Sequence, residues 1–387
     1  MYCEQHSFLE RQVIRVMNKE ILIRLTPLEP YFLGSDRTFH YGENDVRRIG
    51  KSDYFIKSVK IPSQTTLFGI LRYLGMQNRT VDYVLGDSEQ YIGSSSFRFM
   101  DNSQSFGMIK SISPLLLMQN STGRKLLRTP LNHCAVSAFK SEAGNTCFYP
   151  FSKFAESRIT NGNICEEQIL PLEFNAKEWL TDSYVDMQNG EITDSAELFA
   201  EKESVGIDIK RRDEAFYKMQ FIKLKEDYSF AFYAVVDDMF PEISDKIVYM
   251  GRRKSAFAVT ADYSGDSSWA NCSTAMKSII RKEGYPFCYC ASDVYLMQRE
   301  TGNSMEELLE HCRFSIIQTK TMREYQTNYR KTGQKQRFEK SDKLFRVIKA
   351  GSVLYPKEGH LEAIKNMISN DHFETIGMNC ILEGGNS

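Results

Sequence analysis

The segment FYKMQFIKLKEDYSFAFYAVVD, residues 216–237, joins two runs in which apolar and polar residues alternate. Alternation with a period of two is typical of a half-buried β-strand. The runs meet at Glu226 and Asp227, and a short polar break of this kind indicates a β-hairpin. The chain also contains 25 Phe and 20 Tyr, which favours a β-rich interior.

Strand and helix patterns recur on both sides of this predicted hairpin. EILIRLTPLEPYF, from Glu20, alternates as a strand does until two prolines end it. A helix is predicted in IPSQTTLFGILRYLG, where apolar side chains recur on one face from Leu67 to Leu74. Strand–helix–strand units with hairpins occur in both halves, and they predict an α+β fold rather than one parallel sheet.

The length of 387 residues suggests two domains, or one large domain with insertions. Between Asn161 and Glu203, eleven acidic residues stand against two basic ones, so the local net charge is −9. This stretch is either a solvated face or a docking face for a basic partner. The predicted division is an N-terminal extension at 1–18, an N-terminal domain at 19–160, an acidic insertion or linker at 161–204 and a C-terminal domain at 205–387.

Composition excludes several classes of protein. The formal net charge is −1, so an argument for nucleic-acid binding must rest on local clusters of charge. Nine cysteines without C-x-x-C spacing indicate free buried thiols in a reducing cytosol, not a structural zinc site. The sequence has no apolar run long enough for a signal peptide or a membrane helix, and it predicts a cytoplasmic protein.

Two segments combine basic and aromatic residues, as a surface for single-stranded nucleic acid does. Residues 320–349 carry ten Lys or Arg against three acidic residues, with four aromatic residues interleaved. The irregular segment at 33–60 carries six basic residues and further aromatic ones, together with His40. A mobile solvated loop has the same composition, and that alternative stays open for the first segment.

Ser63, Gln64, Thr65 and Thr66 stand directly in front of the predicted helix. Such side chains can cap the helix, because they accept hydrogen bonds from N–H groups of the first turn. The same N–H groups and the helix dipole also favour a bound phosphate. Both interpretations, a cap and a phosphate seat, are compatible with the sequence.

Several segments together resemble one known family. They are PLEPYFLGSDRTF, IPSQTTLFGILRYLG, SFGMIKSISPLLL, EKESVGIDIKRR, VYMGRRKSAFAV and RVIKAGSVLY, in this order. The chain from about residue 21 to the C-terminus resembles the RAMP-superfamily subunit of type III-B CRISPR (Cmr-type) effector complexes that holds the 5′ handle of the crRNA. It departs from the family at the C-terminal glycine-rich loop, where only Gly377, Gly384 and Gly385 match.

The resemblance implies two ferredoxin-like domains related to RNA-recognition modules, with insertions. It implies a non-catalytic subunit without metal or cofactor, acting in antiviral defence. The implied partners are the 5′ handle of the crRNA, the large cyclase/polymerase CRISPR subunit and the backbone RNA-cleaving RAMP subunit, and no membrane is involved.

The candidate RNA-binding residues combine the basic and aromatic positions with the small polar residues at the helix start. They are Arg37, Thr38, Phe39, His40, Arg47, Arg48, Lys57, Lys60, Ser63, Gln64, Thr65, Arg72, Lys110, Arg252, Arg253, Lys254, Arg330 and Lys331.

Two alternatives stay open. One is a metal-independent RAMP endoribonuclease that processes crRNA precursors, with His40 as acid or base beside Lys57 or Arg37. The sequence lacks nucleotide-binding and hydrolase motifs, and no two of its six histidines have useful local spacing. The other alternative is the handle-binding subunit of a related type III or type I complex.

Overall fold

The computed structural model describes residues 18–34, 54–76, 91–93, 95–133, 145–161, 164–174, 182–207, 216–251, 253–282, 284–297, 304–328, 337–341 and 343–385. The predicted N-terminal extension therefore lies outside the described residues, apart from Asn18. The fold is mixed, with many antiparallel strands and few helices, as the predicted α+β class requires.

The strands, in chain order, are β1 (Asn18–Pro27), β2 (Tyr54–Lys57), β3 (Ile109–Ile112), β4 (Leu116–Gln119), β5 (Lys125–Arg128), β6 (Phe154–Asn161), β7 (Ile164–Pro171), β8 (Ser183–Asp186), β9 (Ile192–Asp194), β10 (Phe199–Ile207), β11 (Phe216–Leu224), β12 (Tyr228–Asp237), β13 (Lys246–Met250), β14 (Ser255–Asp262), β15 (Phe287–Cys290), β16 (Cys312–Ile316), β17 (Thr319–Met322), β18 (Tyr325–Asn328), β19 (Arg337–Lys340), β20 (Phe345–Ile348), β21 (Val353–Pro356) and β22 (Ile381–Gly384). The helices are α1 (Gln64–Met76), α2 (Ser195–Leu198), α3 (Trp269–Ile280), α4 (Ser304–Glu310), α5 (Leu361–Ile368) and α6 (Asp371–Thr375). Within the described ranges, no helix is both long and apolar enough to cross a membrane.

The large sheet has the strand order β13-β14-β1-β12-β4-β5-β8-β9, and β3 also pairs with β12. Its centre is β1, which runs antiparallel to β12 on one side and to β14 on the other. Strand pairing thus crosses the predicted boundary at residue 205, because β12 and β14 follow that boundary and β1 precedes it. The domain limits themselves stay a prediction.

The hairpin predicted at 216–237 is only half right. Both strands form, and a turn follows Lys225, whose carbonyl accepts a hydrogen bond from the N–H of Tyr228 (2.9 Å). The strands pair elsewhere, however: β11 lies between β10 and β2 in a small sheet, while β12 lies in the large one. The reason is that a strand has two edges, and those of β12 are taken by β1 and by β3 with β4.

The centre of the large sheet is covered on both faces. On one face, Ile21, Ile23 and Leu25 of β1 pack in one cluster with Leu67 and Leu71 of α1. On the other face, the sheet packs against α3 and against a four-stranded C-terminal sheet with the order β16-β21-β15-β22. The second face of the C-terminal sheet packs against α4 and α5. The molecule is therefore layered as helix, sheet, sheet and helices, which is how two one-sided sheets bury their apolar faces.

A buried glutamine joins the start of α1 to the C-terminal segment. The side-chain Nε2 of Gln64 donates to the carbonyls of Ser113 (2.9 Å) and Gly377 (2.8 Å), and Gln64 is only 5% exposed. Gly377 has a positive φ of 74°, and a Cβ there would overlap the Gln64 amide and the Ser113 carbonyl. The glycine is therefore required both by its backbone conformation and by the space around it.

We expect Gly377→Ala to lower the free energy of unfolding by about 3 kcal/mol, because a strained backbone conformation and an overlap add to each other. Gly359→Ala is the matched control: its φ is 75°, but no atom lies within 4 Å of the added Cβ. The control should lose only about 1–2 kcal/mol from the positive φ. Urea unfolding measures both, and equal losses would contradict the tie between α1 and the C-terminal segment.

Candidate nucleic-acid interface

The predicted RNA-binding residues divide into two groups. Those outside the described residues are Arg37, Thr38, Phe39, His40, Arg47, Arg48, Arg252, Arg330 and Lys331. The structure describes Lys57, Lys60, Ser63, Gln64, Thr65, Arg72, Lys110, Arg253 and Lys254.

The two faces of the C-terminal sheet are not available for stacking on bases, because one packs on the large sheet and the other on α4 and α5. RNA-recognition modules read RNA with aromatic side chains on an open sheet face. Here Phe287, Tyr289 and Tyr355 of the C-terminal sheet lie between the two sheets, and each is at most 1% exposed. An RNA contact at this sheet would therefore have to use strand ends, loops or helix starts.

The start of α1 is capped by Ser63, and two N–H groups of its first turn are left without a hydrogen bond to any described residue. The Oγ of Ser63 accepts a hydrogen bond from the N–H of Thr66 (3.3 Å) and lies 2.9 Å from the Oγ1 of Thr65. The N–H groups of Gln64 and Thr65 have no acceptor among the described residues. Both Ser63 and Thr65 are half-buried, so the cap and the open first turn coexist.

Two residues predicted at this surface instead hold the structure together. Gln64 points inward and uses its amide N–H groups on backbone carbonyls, so its side chain is not on the surface. Arg72 is half-buried, and its Nε donates to the carbonyl of Ile92 (2.8 Å) and its guanidinium to that of Gly93 (3.2 Å). Both side chains are polar because buried backbone carbonyls need hydrogen-bond donors, so their polarity does not mark a binding surface.

The GRRK turn at 251–254 lies against the chain at residues 32–34. The Oγ of Ser255 accepts a hydrogen bond from the N–H of Phe32 (3.0 Å), and the backbone of Gly251 closely approaches the carbonyl of Phe32. Leu33 in turn bonds to Ser58 and Val59, at 2.9 Å each. The structure thus brings the turn and the segment before α1 to one place.

The predicted basic side chains in this region are accessible. Lys57, Arg253 and Lys254 are exposed, and Lys254 has a φ of 54° within the turn. Lys110 is also exposed, but it lies elsewhere. Its strand pairs with β12 at Val235, opposite Glu20, whereas the turn lies beyond Pro27 at the other end of β1. Seven or more residues of strand separate the two sites, about 25 Å.

The acidic stretch proves to be partly internal. Arg124 contacts Asp186 (2.5 Å) and Glu191 (3.0 Å), and Asp186 is almost fully buried. Arg128 contacts Asp182 (2.6 Å), which also contacts Lys60 (3.3 Å). Sequence analysis missed these two arginines, because their partners lie more than 50 residues away and no local pattern links them.

The electrostatics of Asp182 follow from these contacts. Burial would raise its pKa, but the charges of Arg128 and Lys60 outweigh burial and hold the pKa below its ordinary value. The carboxylate therefore stays ionised and neutralises part of the positive charge in front of α1. Asp182 thus has an internal role, while a solvated face and a docking face both stay open for the exposed acidic residues Glu197, Glu201 and Glu203.

The basic segment at 320–349 folds as an antiparallel ribbon where it is described. Strand β17 pairs with β20, and β18 pairs with β19. Lys320 contacts Asp293 (2.5 Å), and the Nζ of Lys349 donates to the Oε1 of Gln318 (3.1 Å). The base of the ribbon is thus attached to the C-terminal sheet, and Arg346 on β20 is exposed.

Two histidines meet in space although their sequence positions are 49 residues apart. The Nδ1 atoms of His311 and His360 lie 2.8 Å from each other, so one ring donates and the other accepts. No local pattern in the sequence links these two histidines. In the described part of the chain, no group of three or more His, Cys, Asp or Glu residues is placed to hold a metal ion.

We expect Arg124→Gln to lower the free energy of unfolding by about 3 kcal/mol, because it leaves the buried carboxylate of Asp186 without its charge partner. Lys125→Gln, one residue along, should change stability by no more than about 0.5 kcal/mol. Thermal and urea unfolding compare the two. A loss of no more than about 0.5 kcal/mol in both variants would contradict the internal role of Asp186 and favour a solvated face.

Comparison with known proteins identifies the family. The family model described as CRISPR-associated protein (Cas_Cmr3) matches residues 23–385. Two solved chains from type III-B Cmr-beta complexes, one bound to cognate target RNA and one to target RNA and AMPPnP (state 1), each show 15% identity over 94% of this chain and 96% of theirs. Their TM-scores are 0.47 and 0.44. No curated protein matches the sequence. Since the family model spans nearly the whole sequence, the chain belongs to the Cas_Cmr3 family of CRISPR-associated proteins and is a Cmr-type subunit, as its sequence predicted.

Proposed function

We propose that this chain is the non-catalytic subunit of a type III-B Cmr complex that grips the 5′ handle of the crRNA. The start of α1 carries the proposal: it combines N–H groups of the first turn with basic residues before the helix and in the GRRK turn. The proposed protein partners are the large cyclase/polymerase subunit and the backbone RNA-cleaving RAMP subunit. Cas_Cmr3 family membership supports this assignment.

The strand order supports two ferredoxin-like domains. The C-terminal elements run β15-α4-β16-β21-α5-β22, and their sheet order β16-β21-β15-β22 is the split βαβ arrangement. The large sheet contains the same order in β4-β12-β1-β14, with α1 after the first of these strands in the chain. Strands β5 to β11 are then an insertion in the N-terminal domain.

The physical basis of the proposed grip is local charge, since the whole chain has a net charge of −1. A single strand of RNA offers one phosphate per nucleotide, and a helix start binds phosphate through its N–H groups and dipole. Small side chains such as Ser63 and Thr65 allow the RNA backbone to approach the N–H groups of the first helical turn closely. Lys57, Arg253 and Lys254 add exposed positive charge nearby.

We expect Thr65→Glu to reduce crRNA loading into the complex at least about tenfold, a change of roughly 1.4 kcal/mol. The new carboxylate would occupy the proposed phosphate position, while its interaction with the helix dipole should hold or raise stability by about 0.3–1 kcal/mol. Loading is measured by copurified crRNA, and stability by thermal unfolding.

The matched control is Ala270→Glu, which adds the same charge at the same position of α3. That helix is also capped by a serine, Ser268, and Ala270 is exposed. Normal loading of the control with reduced loading of Thr65→Glu supports the phosphate seat. Equal loading of well-folded Thr65→Glu and wild type would leave Ser63 as a helix cap only.

The competing function is a metal-independent endoribonuclease. The sequence places its acid or base at His40, which lies outside the described residues, and the close pair of His311 and His360 is a second place for acid–base chemistry. We expect purified full-length chain to retain a repeat-containing RNA without cleaving it, as followed by denaturing gel electrophoresis. Cleavage that disappears in His40→Ala or His360→Asn would establish the enzyme instead.

A further inference from the structure

Four basic and two acidic side chains gather where the N-terminal and C-terminal parts of the chain meet. We call this group the cationic cluster, and it consists of Lys60, Arg128, Lys320 and Lys349 with Asp182 and Asp293. Lys60 precedes α1, Arg128 ends β5, and the two other lysines lie at the base of the basic ribbon.

Asp182 holds the N-terminal half of the cationic cluster. Its Oδ1 lies 2.6 Å from the guanidinium of Arg128, and its Oδ2 lies 3.3 Å from the Nζ of Lys60. The Nζ of Lys60 also donates to the Oγ of Ser195 (2.8 Å). Both cations are therefore fixed in position by the same carboxylate.

The C-terminal half adjoins Arg128. A Cβ placed on Gly351 would lie 3.3 Å from the Nε of Arg128, so the turn that carries Lys349 packs on the arginine side chain. Asp293 contacts Lys320 (2.5 Å) and accepts a hydrogen bond from the N–H of Ala350 (3.1 Å). Arg128 and Lys349 thus lie on opposite sides of one contact between the two halves.

The cationic cluster carries surplus positive charge. Four cations and two carboxylates give a net charge of +2, and Lys349 is half-buried. Burial, and then the positive charge of Arg128, lower the pKa of Lys349 below its ordinary value. The Nε of Arg128 is buried without an acceptor in the described part of the chain. An anion would stabilise such a site, because it would balance the partly buried positive charge and accept the unused hydrogen bond of Arg128.

Solvent reaches the cationic cluster, so an outside anion can bind it. The side chains of Lys60, Lys320 and Asp182 are 31%, 34% and 35% exposed. Lys60 lies three residues before the cap Ser63, so the cationic cluster continues the surface at the start of α1. Guanidinium and ammonium groups held in fixed positions are what phosphate binding requires.

We propose that the cationic cluster binds a backbone phosphodiester of single-stranded RNA, and that Asp182 keeps its cations in place when no RNA is bound. The proposal rests on the proposed function, because it supplies a second phosphate position beside the helix start. It also assigns a role to one residue of the acidic stretch. Asp182 holds Lys60 and Arg128 in position, and its negative charge weakens the binding of phosphate, so this charge sets the affinity for RNA.

The test uses the full-length chain and a labelled single-stranded RNA that carries the repeat-derived 5′ segment, with Kd measured at several salt concentrations. We expect Lys349→Gln to weaken binding at least about threefold and to reduce the salt slope by about 0.7. Asp182→Asn should tighten binding at least about threefold, because it removes a negative charge beside the phosphate.

The matched controls are Lys365→Gln and Glu383→Gln, each of which removes one charge of an ion pair that includes no residue of the cationic cluster. Both should leave Kd and slope unchanged, and thermal unfolding checks that each variant is folded. Unchanged Kd in folded Lys349→Gln overturns the proposal even where Asp182→Asn is too unstable to measure. If both cluster variants behave as the controls do, the cationic cluster is structural only.

Two further arms separate this proposal from its neighbours. ATP replaces RNA as the probe in one arm, and an equal response of the variants to ATP would overturn the assignment to RNA. In the other arm, an RNA of unrelated sequence replaces the handle sequence. Wild type could have the same Kd for both RNAs while the variants still change Kd as expected. That result would contradict the proposed function, specific binding of the handle, and would support the phosphodiester site.

Discussion

The fold depends on the insertion of β1 between β12 and β14. Eight residues of β1 pair with β12 and six with β14, so both edges of the strand are hydrogen-bonded along most of its length. Side chains on both of its faces are buried as well, as Ile21 and Leu22 show. A strand of this kind satisfies its backbone groups only when residues more than 200 positions later are in place. The N-terminal part of the chain therefore cannot complete its sheet without residues 228–262.

The same arrangement limits where the proposed RNA contact can lie. The C-terminal sheet packs on the large sheet with one face and on helices with the other, and the centre of the large sheet is covered in the same way. The strand ends, the edge strand β13, the start of α1 and the connecting turns remain as available surface. These parts come from distant positions in the chain, and the contact of Phe32 and Leu33 with Ser255 and Ser58 brings them together. A binding surface of this kind is set by packing in the interior.

The placement of charge also depends on contacts between distant parts of the chain. A chain with a net charge of −1 has no long-range attraction for RNA, and its acidic stretch would repel it. The structure removes part of this conflict by pairing Asp186 and Glu191 with Arg124, and Asp182 with Arg128 and Lys60. Acidic side chains that form ion pairs with these arginines are not available to repel RNA at the proposed surface. Before α1 and at the base of the basic ribbon, Lys60, Arg128, Lys320 and Lys349 outnumber their acidic partners Asp182 and Asp293.

The sequence by itself determined the local elements and the family. Period-two alternation located β1, β11 and β12, apolar spacing located α1, and several short segments in a fixed order were enough to indicate a Cmr-type subunit. Only the tertiary structure decided which edges pair, so the adjacent strands β11 and β12 separated into two sheets. It also decided which polar residues are internal: Gln64 and Arg72 serve backbone carbonyls, and Arg128 meets Asp182. Local patterns record whether a side chain prefers water or the interior, but partners far apart in sequence are chosen by packing, which no local pattern contains.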